Sequence, residues 1–188
     1  MAKHRRLDRA AVVAMAAHLA DEARTVHAVT LTTLAAALDI RVPSLYNHIA
    51  NADDLHDALA LYALQALLTA MRAAALGTTG APALVALAHA YRHFARAHPG
   101  IYPLTLRAPA PEDAAHVVLA QELLQMLLLV FASCGIHGED AIHAVRGLRA
   151  LLHGFVTLEA AEGFKMAIDL DESFQRTLTT YLQGLGVA

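Results

Sequence analysis

Three groups of side chains in this sequence are of types that can do chemistry: helically spaced histidines, a serine beside a cysteine, and a polar run near the N-terminus. His89 and His93 are four residues apart, with His98 close behind, and imidazoles at that spacing can share a transition metal. Ser133 and Cys134 are possible nucleophiles, but no base, paired-carboxylate or phosphate-loop signature accompanies them. We therefore expect no enzyme, no cofactor and no resident metal, and keep a metal-responsive protein as an alternative.

The third group of side chains lies in residues 30–51, TLTTLAAALDIRVPSLYNHIAN, where polar and apolar residues are interspersed. Its apolar spacing predicts two short helices at a steep angle, joined by a turn of about three to four residues. The side chains expected to pack between the helices are Leu34, Ala35, Leu38, Leu45 and Ile49. The positions left on the outer surface are Arg41, Val42, Ser44, Tyr46, Asn47 and His48. Ser, Tyr and His hydrogen-bond phosphates, whereas Arg and Asn can read base edges in a major groove. The run predicts a DNA-binding helix-turn-helix, with a plain helical hairpin as the alternative.

The elements that must position this run are all helical. Ala and Leu dominate, and no segment alternates apolar and polar residues as a strand does. Periodicity, caps and breakers predict nine helices, over residues 8–23, 30–38, 42–50, 51–76, 81–98, 101–106, 112–133, 139–162 and 171–185. The longest uncharged run, 123–138, falls short of the roughly 20 residues of a membrane span. We expect it to be a buried helix, and expect a cytoplasmic protein that contacts no membrane because the N-terminus has no apolar signal core.

Charge is distributed unevenly along the chain. The net charge is −3, but residues 1–50 carry six basic and four acidic side chains, while residues 51–188 are acidic on balance. Four of the six N-terminal cations lie within the first nine residues: Lys3, Arg5, Arg6 and Arg9. We expect this arm to contact phosphates or the minor groove without reading sequence.

The segment LAAALDIRVPSLYNHIANADDL resembles the DNA-binding segment of the TetR family of bacterial transcription repressors. The resemblance implies a nine-helix, all-α architecture with a three-helix DNA-binding domain over residues 1–52 and a ligand-binding and dimerisation domain over residues 53–188. It places Thr30, Thr32 and Thr33 on the supporting helix and residues 41–48, Pro43 included, on the recognition helix. It also implies that Ser44, Tyr46 and His48 contact phosphates. Asp39 stands where the family prefers glycine, and Asp enters the left-handed conformation at low cost. Ala52 stands where the family usually has a lysine.

The segments ARAHPGIYPL and LRALLHGFVTLEAAEGF are similar to the TetR-like C-terminal domain named for its Trp-His-Gly signature, although Leu152 replaces the tryptophan before His153 and Gly154. The resemblance implies a homodimer joined by the helices over 139–162 and 171–185, with a small-molecule cavity among the middle helices. Mostly apolar candidates for that cavity are Tyr62, His89, His93, Tyr102, His116, Met126 and Phe131.

The expected function is therefore a ligand-responsive transcription regulator. A repressor released from a palindromic operator in double-stranded DNA by a small-molecule effector fits best. The alternatives are a metal-responsive regulator on the same scaffold and a helical enzyme or interaction module.

Overall fold

The computed structural model describes residues 7–187, which contain eight α-helices, two short 3-10 helices and no strand. The described residues form two compact units, one of residues 7–66 and 97–116 and the other of residues 67–96 and 117–187. The predicted all-α fold is confirmed, and the sixth of the nine predicted helices, over residues 101–106, is the 3-10 segment Tyr102–Leu106. The α-helices are α1 (Arg9–Ala23), α2 (Leu31–Ala37), α3 (Val42–Leu45), α4 (Ala52–Ala75), α5 (Gly80–Ala97), α6 (Ala114–Ser133), α7 (Gly138–Ala160) and α8 (Leu170–Gly184).

Capping side chains set the starts of several helices, because the first N–H groups of a helix have no partner within it. Asp8 accepts from the N–H of Ala11 at the start of α1 (2.8 Å). Asn51 does the same for Asp54 at the start of α4 (2.8 Å). Both starts agree with the prediction. The predicted start of α6 at residue 112 is two residues early, since the cap is Asp113, which accepts from the backbone of His116 (3.0 Å).

In the first unit, the C-terminal end of α1 is bound to the loop that follows α5. Asp21 Oδ1 accepts from the N–H groups of Gly100 (3.0 Å) and Ile101 (3.2 Å), and Asp21 Oδ2 lies 2.7 Å from His98 Nδ1. Gly100 lies so close to α1 that an added Cβ would be 1.9 Å from the carbonyl oxygen of Ala20. Glycine is therefore required here for space.

In the second unit, a buried arginine joins α5, α7 and α8. Arg92 is 5% exposed and donates to both carboxylate oxygens of Glu159 (2.7 and 2.9 Å), and its Nη1 lies 2.8 Å from Asp171. Its guanidinium also lies over the rings of Phe155 and Phe174, at 5.2 and 4.8 Å from their centroids. The hydrogen bonds to Glu159 raise the pKa of Arg92. Together these partners offset the free-energy cost of burying the charge of Arg92.

The helix α6 contradicts the expectation of a buried apolar segment. Within residues 123–138 only Phe131 is buried, and only 11% of the most apolar window of α6 lies inside the protein. By length and composition alone, α4 and α6 could each cross a membrane, with mean hydropathies of 1.4 and 1.8. Two such helices are weak evidence for a membrane protein, because core helices of soluble proteins have the same length and composition.

Candidate nucleic-acid interface

The short helices α2 and α3 pack together through the side chains that the sequence predicted. Leu34 and Leu45 are fully buried, and Ala35 and Ile49 are almost so. At the start of α2, Thr30 and Thr33 form a capping box, in which each hydroxyl accepts from the other residue's N–H (3.1 and 2.9 Å). The buried side chains hold α3 against α2, and the capping box fixes the start of α2.

The turn between the two helices depends on Asp39, whose φ is +53°. This left-handed conformation is the one for which the family prefers glycine, and Asp is among the few other residues that adopt it at low cost. The departure from the family pattern is therefore compatible with the turn.

The helix α3, the predicted recognition helix, is shorter than expected, because it ends at Leu45 instead of at residue 50. After Leu45 the chain continues as a tight turn, in which the N–H groups of His48 and Ile49 share the carbonyl of Leu45 (2.8 and 2.9 Å). The N–H of Ala50 donates to the carboxylate of Asp54 (2.8 Å). Because this donor bonds to the next helix, the α-helical pattern stops before it.

Most of the predicted contact residues lie on the surface. Tyr46 is 54% exposed. The other exposed side chains are Thr30, Thr32, Thr33, Arg41, Pro43 and Asn47, whereas Val42, Ser44 and His48 are half-buried. Within residues 7–187, the side chains of Arg41, Tyr46 and Asn47 form no hydrogen bond or ion pair, unlike those of Thr30 and Thr33. Three side chains that suit nucleic-acid recognition are therefore available on one short segment.

An ion pair and a hydrogen bond connect α1 to α4 and to the turn after α3. Arg9 donates to both carboxylate oxygens of Asp54 (2.6 and 2.8 Å) and to the carbonyl of His48 (2.7 Å). The hydrogen bonds from Arg9 and from the backbone of Ala50 lower the pKa of Asp54 to about 2. Sequence patterns did not reveal this pair, since its members are 45 positions apart.

The guanidinium of Arg9 thus has a structural role, because it is bound to Asp54 and to the backbone of His48. The expected contact of Arg9 with DNA stays a prediction. Lys3, Arg5 and Arg6 lie outside the described residues. Their proposed contacts with phosphates stay predictions.

Comparison with known proteins identifies the family. Residues 84–181 match the family model described as Tetracyclin repressor-like, C-terminal domain. The HTH-type transcriptional regulator YobS of Bacillus subtilis is 35% identical over 175 residues, which cover 93% of this chain and 90% of YobS. The chain belongs to the TetR family of transcription regulators. The expectation of a regulator in place of an enzyme is confirmed by these relatives. The Trp-His-Gly subtype stays a prediction.

Solved structures show that the TetR-like architecture extends over almost the whole chain. A protein from Rhodococcus sp. RHA1 superposes with a TM-score of 0.82 at 24% identity and covers 98% of both chains. A variant of TetR from Acinetobacter baumannii AYE, in complex with minocycline, has a TM-score of 0.67 at 23% identity and covers 96% of this chain and 97% of its own. The predicted fold of this TetR-family regulator is therefore confirmed.

The predicted pocket residues of this TetR-family regulator fall into both compact units. Tyr62, Tyr102 and His116 belong to the first unit, where Tyr102 and His116 are buried and Tyr62 is 40% exposed. The other four, His89, His93, Met126 and Phe131, belong to the second. Phe131 is fully buried, Met126 lines an open groove along α6, and the two histidines are exposed.

A metal site at the paired histidines finds no support in the geometry. His89 Nε2 lies 3.1 Å from Gln175 Oε1, and its ring packs edge-on against Phe174. Across residues 7–187, no group of three or more His, Cys, Asp or Glu side chains is placed to bind a metal ion. In the described part of the chain, His89 therefore serves to join α5 to α8.

Proposed function

We propose that this TetR-family regulator is a cytoplasmic homodimeric repressor that binds a palindromic operator and leaves it when a small-molecule effector binds. Residues 1–52 form its DNA-binding domain and residues 53–188 its effector-binding and dimerisation domain. The observation that carries the proposal is the recognition segment, whose inner side chains Leu45 and Ile49 are buried while Arg41 and Asn47 are exposed and unpaired within the described residues.

The roles within this segment follow from side-chain chemistry. The guanidinium of Arg41 can donate to guanine O6 and N7, and the carboxamide of Asn47 can pair with adenine N6 and N7. Ser44, Tyr46 and His48 carry single hydrogen-bond donors that suit phosphate oxygens, as do the threonines Thr30, Thr32 and Thr33 of the supporting helix. The first set would select the sequence, and the second would orient the protein on any duplex.

A binding titration on cognate and scrambled duplexes at one salt concentration tests these roles. Asn47→Ala should lose about 1 to 3 kcal/mol of affinity for the cognate site and little for scrambled DNA, because it removes a base contact. Tyr46→Phe is the matched control and should weaken binding to both duplexes by similar factors, because it removes only a phosphate contact. If Asn47→Ala left the ratio of cognate to scrambled affinity unchanged, Asn47 would not be a residue that contacts bases.

The proposed dimer rests on α7 and α8, which each bury one face and leave another exposed. On α7 the less covered face runs through Leu151, Gly154 and Leu158, at spacings of three and four residues. Leu158 is 51% exposed, and an added Cβ at Gly154 would have no neighbour within 4 Å. Small residues let helices approach closely, so this face suits packing against its own copy around a twofold axis.

The effector proposal is supported by one buried polar atom. His116 is 4% exposed, and its Nε2 has no hydrogen-bond partner within the described residues. A buried imidazole nitrogen without a partner costs about 1 to 3 kcal/mol, which a polar group of the effector would recover. Native mass spectrometry of the purified protein should detect a bound compound that is lost from a folded His116→Leu variant. Retention of the same compound by that variant would exclude His116 as the contact.

A further inference from the structure

The apolar surface of α6 is not used by the function proposed above. This helix has a mean hydropathy of 1.8, yet Leu129 is 70% exposed and Val118 is 50% exposed. Scattered apolar side chains on a surface need no explanation, whereas a contiguous apolar patch usually marks a contact with another molecule. We therefore expect the exposed face of α6 to contact another molecule.

The exposed residues of α6 share one face of the helix, which borders a groove of about 640 Å³. Their spacing of three and four residues is that of a single helical stripe. All the residues that line the groove lie in the second unit: Arg72, Val118, Gln121, Glu122, Gln125, Met126, Leu129 and Val130. A helix of matching length could lie along this groove.

The polar groups on this face decide what kind of partner fits. Glu122 is the only residue of α6 with a formal charge, and it is paired with Arg72 (2.8 Å). Covering the face with protein would therefore bury no unpaired charge. A lipid surface fits less well, because an ion pair and the amides of Gln121 and Gln125 would be costly in hydrocarbon.

We propose that the partner is the α6 face of a second copy of this chain, related by a twofold axis near Gln125. At a twofold axis each residue meets itself, and a carboxamide can do so favourably because it both donates and accepts hydrogen bonds. Gln125 lies near the middle of the face, with Val118 and Leu129 to either side of it. The face is thus complementary to itself in charge and in hydrogen bonding.

The size of the face sets the strength of this contact. The 20 residues of α6 span about 30 Å at a rise of about 1.5 Å per residue, and a face about 10 Å wide offers about 300 Å². A stable interface buries about 800 Å² per partner. The α6 contact is therefore weak and forms at high local concentration. This inference rests on the proposed dimer through α7 and α8. The α6 contact would join two such dimers into a tetramer, which could bind two operators.

Sedimentation velocity tests the contact at loading concentrations from about 1 to about 200 µM, the range in which a small interface associates. The wild-type dimer should convert to a tetramer as the concentration rises. Leu129→Glu places two carboxylates in the contact and should raise the dimer–tetramer dissociation constant at least about tenfold. Leu76→Glu is the matched control, because Leu76 is 85% exposed and follows α4, outside the groove. It should behave as the wild type.

A disulfide cross-link across the α6 contact gives a second measurement. Its outcome does not depend on whether a variant with an added charge folds. With Cys134, the only cysteine of the chain, replaced by serine, a Gln125→Cys variant should form an intermolecular disulfide under mild oxidation. A Leu76→Cys variant, at an exposed position outside the groove, should not do so at the same concentration.

The outcomes separate the two interfaces. A mass that does not change with concentration, or equal behaviour of Leu129→Glu and Leu76→Glu, overturns the α6 contact and leaves the proposed operator binding intact. If Leu129→Glu abolishes the dimer itself and Leu158→Glu does not, the α6 contact stands and the dimer through α7 and α8 is wrong.

Discussion

Asp54 shows how one side chain can fix the orientation of the proposed recognition segment. Its carboxylate accepts from Arg9 on α1 and from the backbone of Ala50, just beyond the recognition turn, while its own N–H donates to Asn51. One residue thereby connects the first helix, the recognition segment and the start of α4. Recognition of DNA depends on such positioning, because base contacts require a fixed register on the duplex.

Asp54→Asn should lower the free energy of unfolding by about 1 kcal/mol at neutral pH, since the ion pair with Arg9 is partly exposed to solvent. The folded pKa of about 2 lies below the ordinary value of 3.8. The stabilisation is therefore fully present above about pH 4 and is lost as the pH falls towards about pH 2. Urea unfolding of the wild type and the variant at several pH values measures this difference.

The control for that measurement is Asp53→Asn, which changes an exposed carboxylate in the same helical turn. Because Asp53 forms no ion pair within residues 7–187, its replacement should have little effect at any of these pH values. A loss in Asp54→Asn that persisted unchanged down to about pH 2 would contradict the assigned role of the ion pair.

Side chains with a local signature were predictable from the sequence, and those with distant partners were not. Thr30 and Asn51 follow capping rules, and Asp39 follows the conformational preference of its type, so the sequence alone predicts the role of each. The partners of Arg9 and Arg92 lie tens of residues away in the chain. No local pattern selects one carboxylate among many at such distances.

At the scale of elements, the contact between α1 and the loop after α5 leaves no room for a side chain at Gly100. A methyl group there would be 1.9 Å from the carbonyl oxygen of Ala20. Gly100→Ala should therefore force the two segments apart, weaken the hydrogen bonds of Asp21 and lower the free energy of unfolding by about 1 to 3 kcal/mol. Thermal and urea unfolding would both report this loss.

Gly184→Ala is the matched control for Gly100→Ala. Gly184 is helical, and an added Cβ there would have no neighbour within 4 Å. Alanine should be neutral or stabilise the helix by up to about 1 kcal/mol, because it has the higher helix propensity. If both variants had equal stability, the close approach at Gly100 would not matter to the fold.

Element boundaries were predicted within a few residues, whereas the environment of an element was not always predicted. The apolar composition of α6 indicated burial, but composition does not specify which neighbouring element covers a helix, and in the structure little covers this one. The recognition helix was predicted too long because nothing in its own residues shows that the N–H of Ala50 bonds to Asp54.

At the scale of the whole molecule, the proposed function requires two copies of the recognition segment. A single recognition helix reads only a few base pairs, and a twofold dimer doubles the site and makes it palindromic. The family membership and the fold agree with such an arrangement. The exposed face of α7 around Leu158 is the surface on which the dimer is proposed to depend.

Leu158→Glu should convert the dimer to monomers at micromolar concentration, which light scattering measures, because two carboxylates would meet near the twofold axis. On an operator whose half-sites are about 34 Å or a multiple of it apart, the monomeric variant should bind with much lower affinity than the wild type. Inserting about five base pairs between the half-sites should reduce wild-type binding, because half a helical turn moves one half-site to the opposite side of the duplex. The same insertion should scarcely affect Leu158→Glu, since a monomer contacts each half-site separately. Wild-type binding that tolerated the insertion, or a monomeric variant with undiminished affinity, would show that the recognition segments act independently and that the operator is not read as a palindrome.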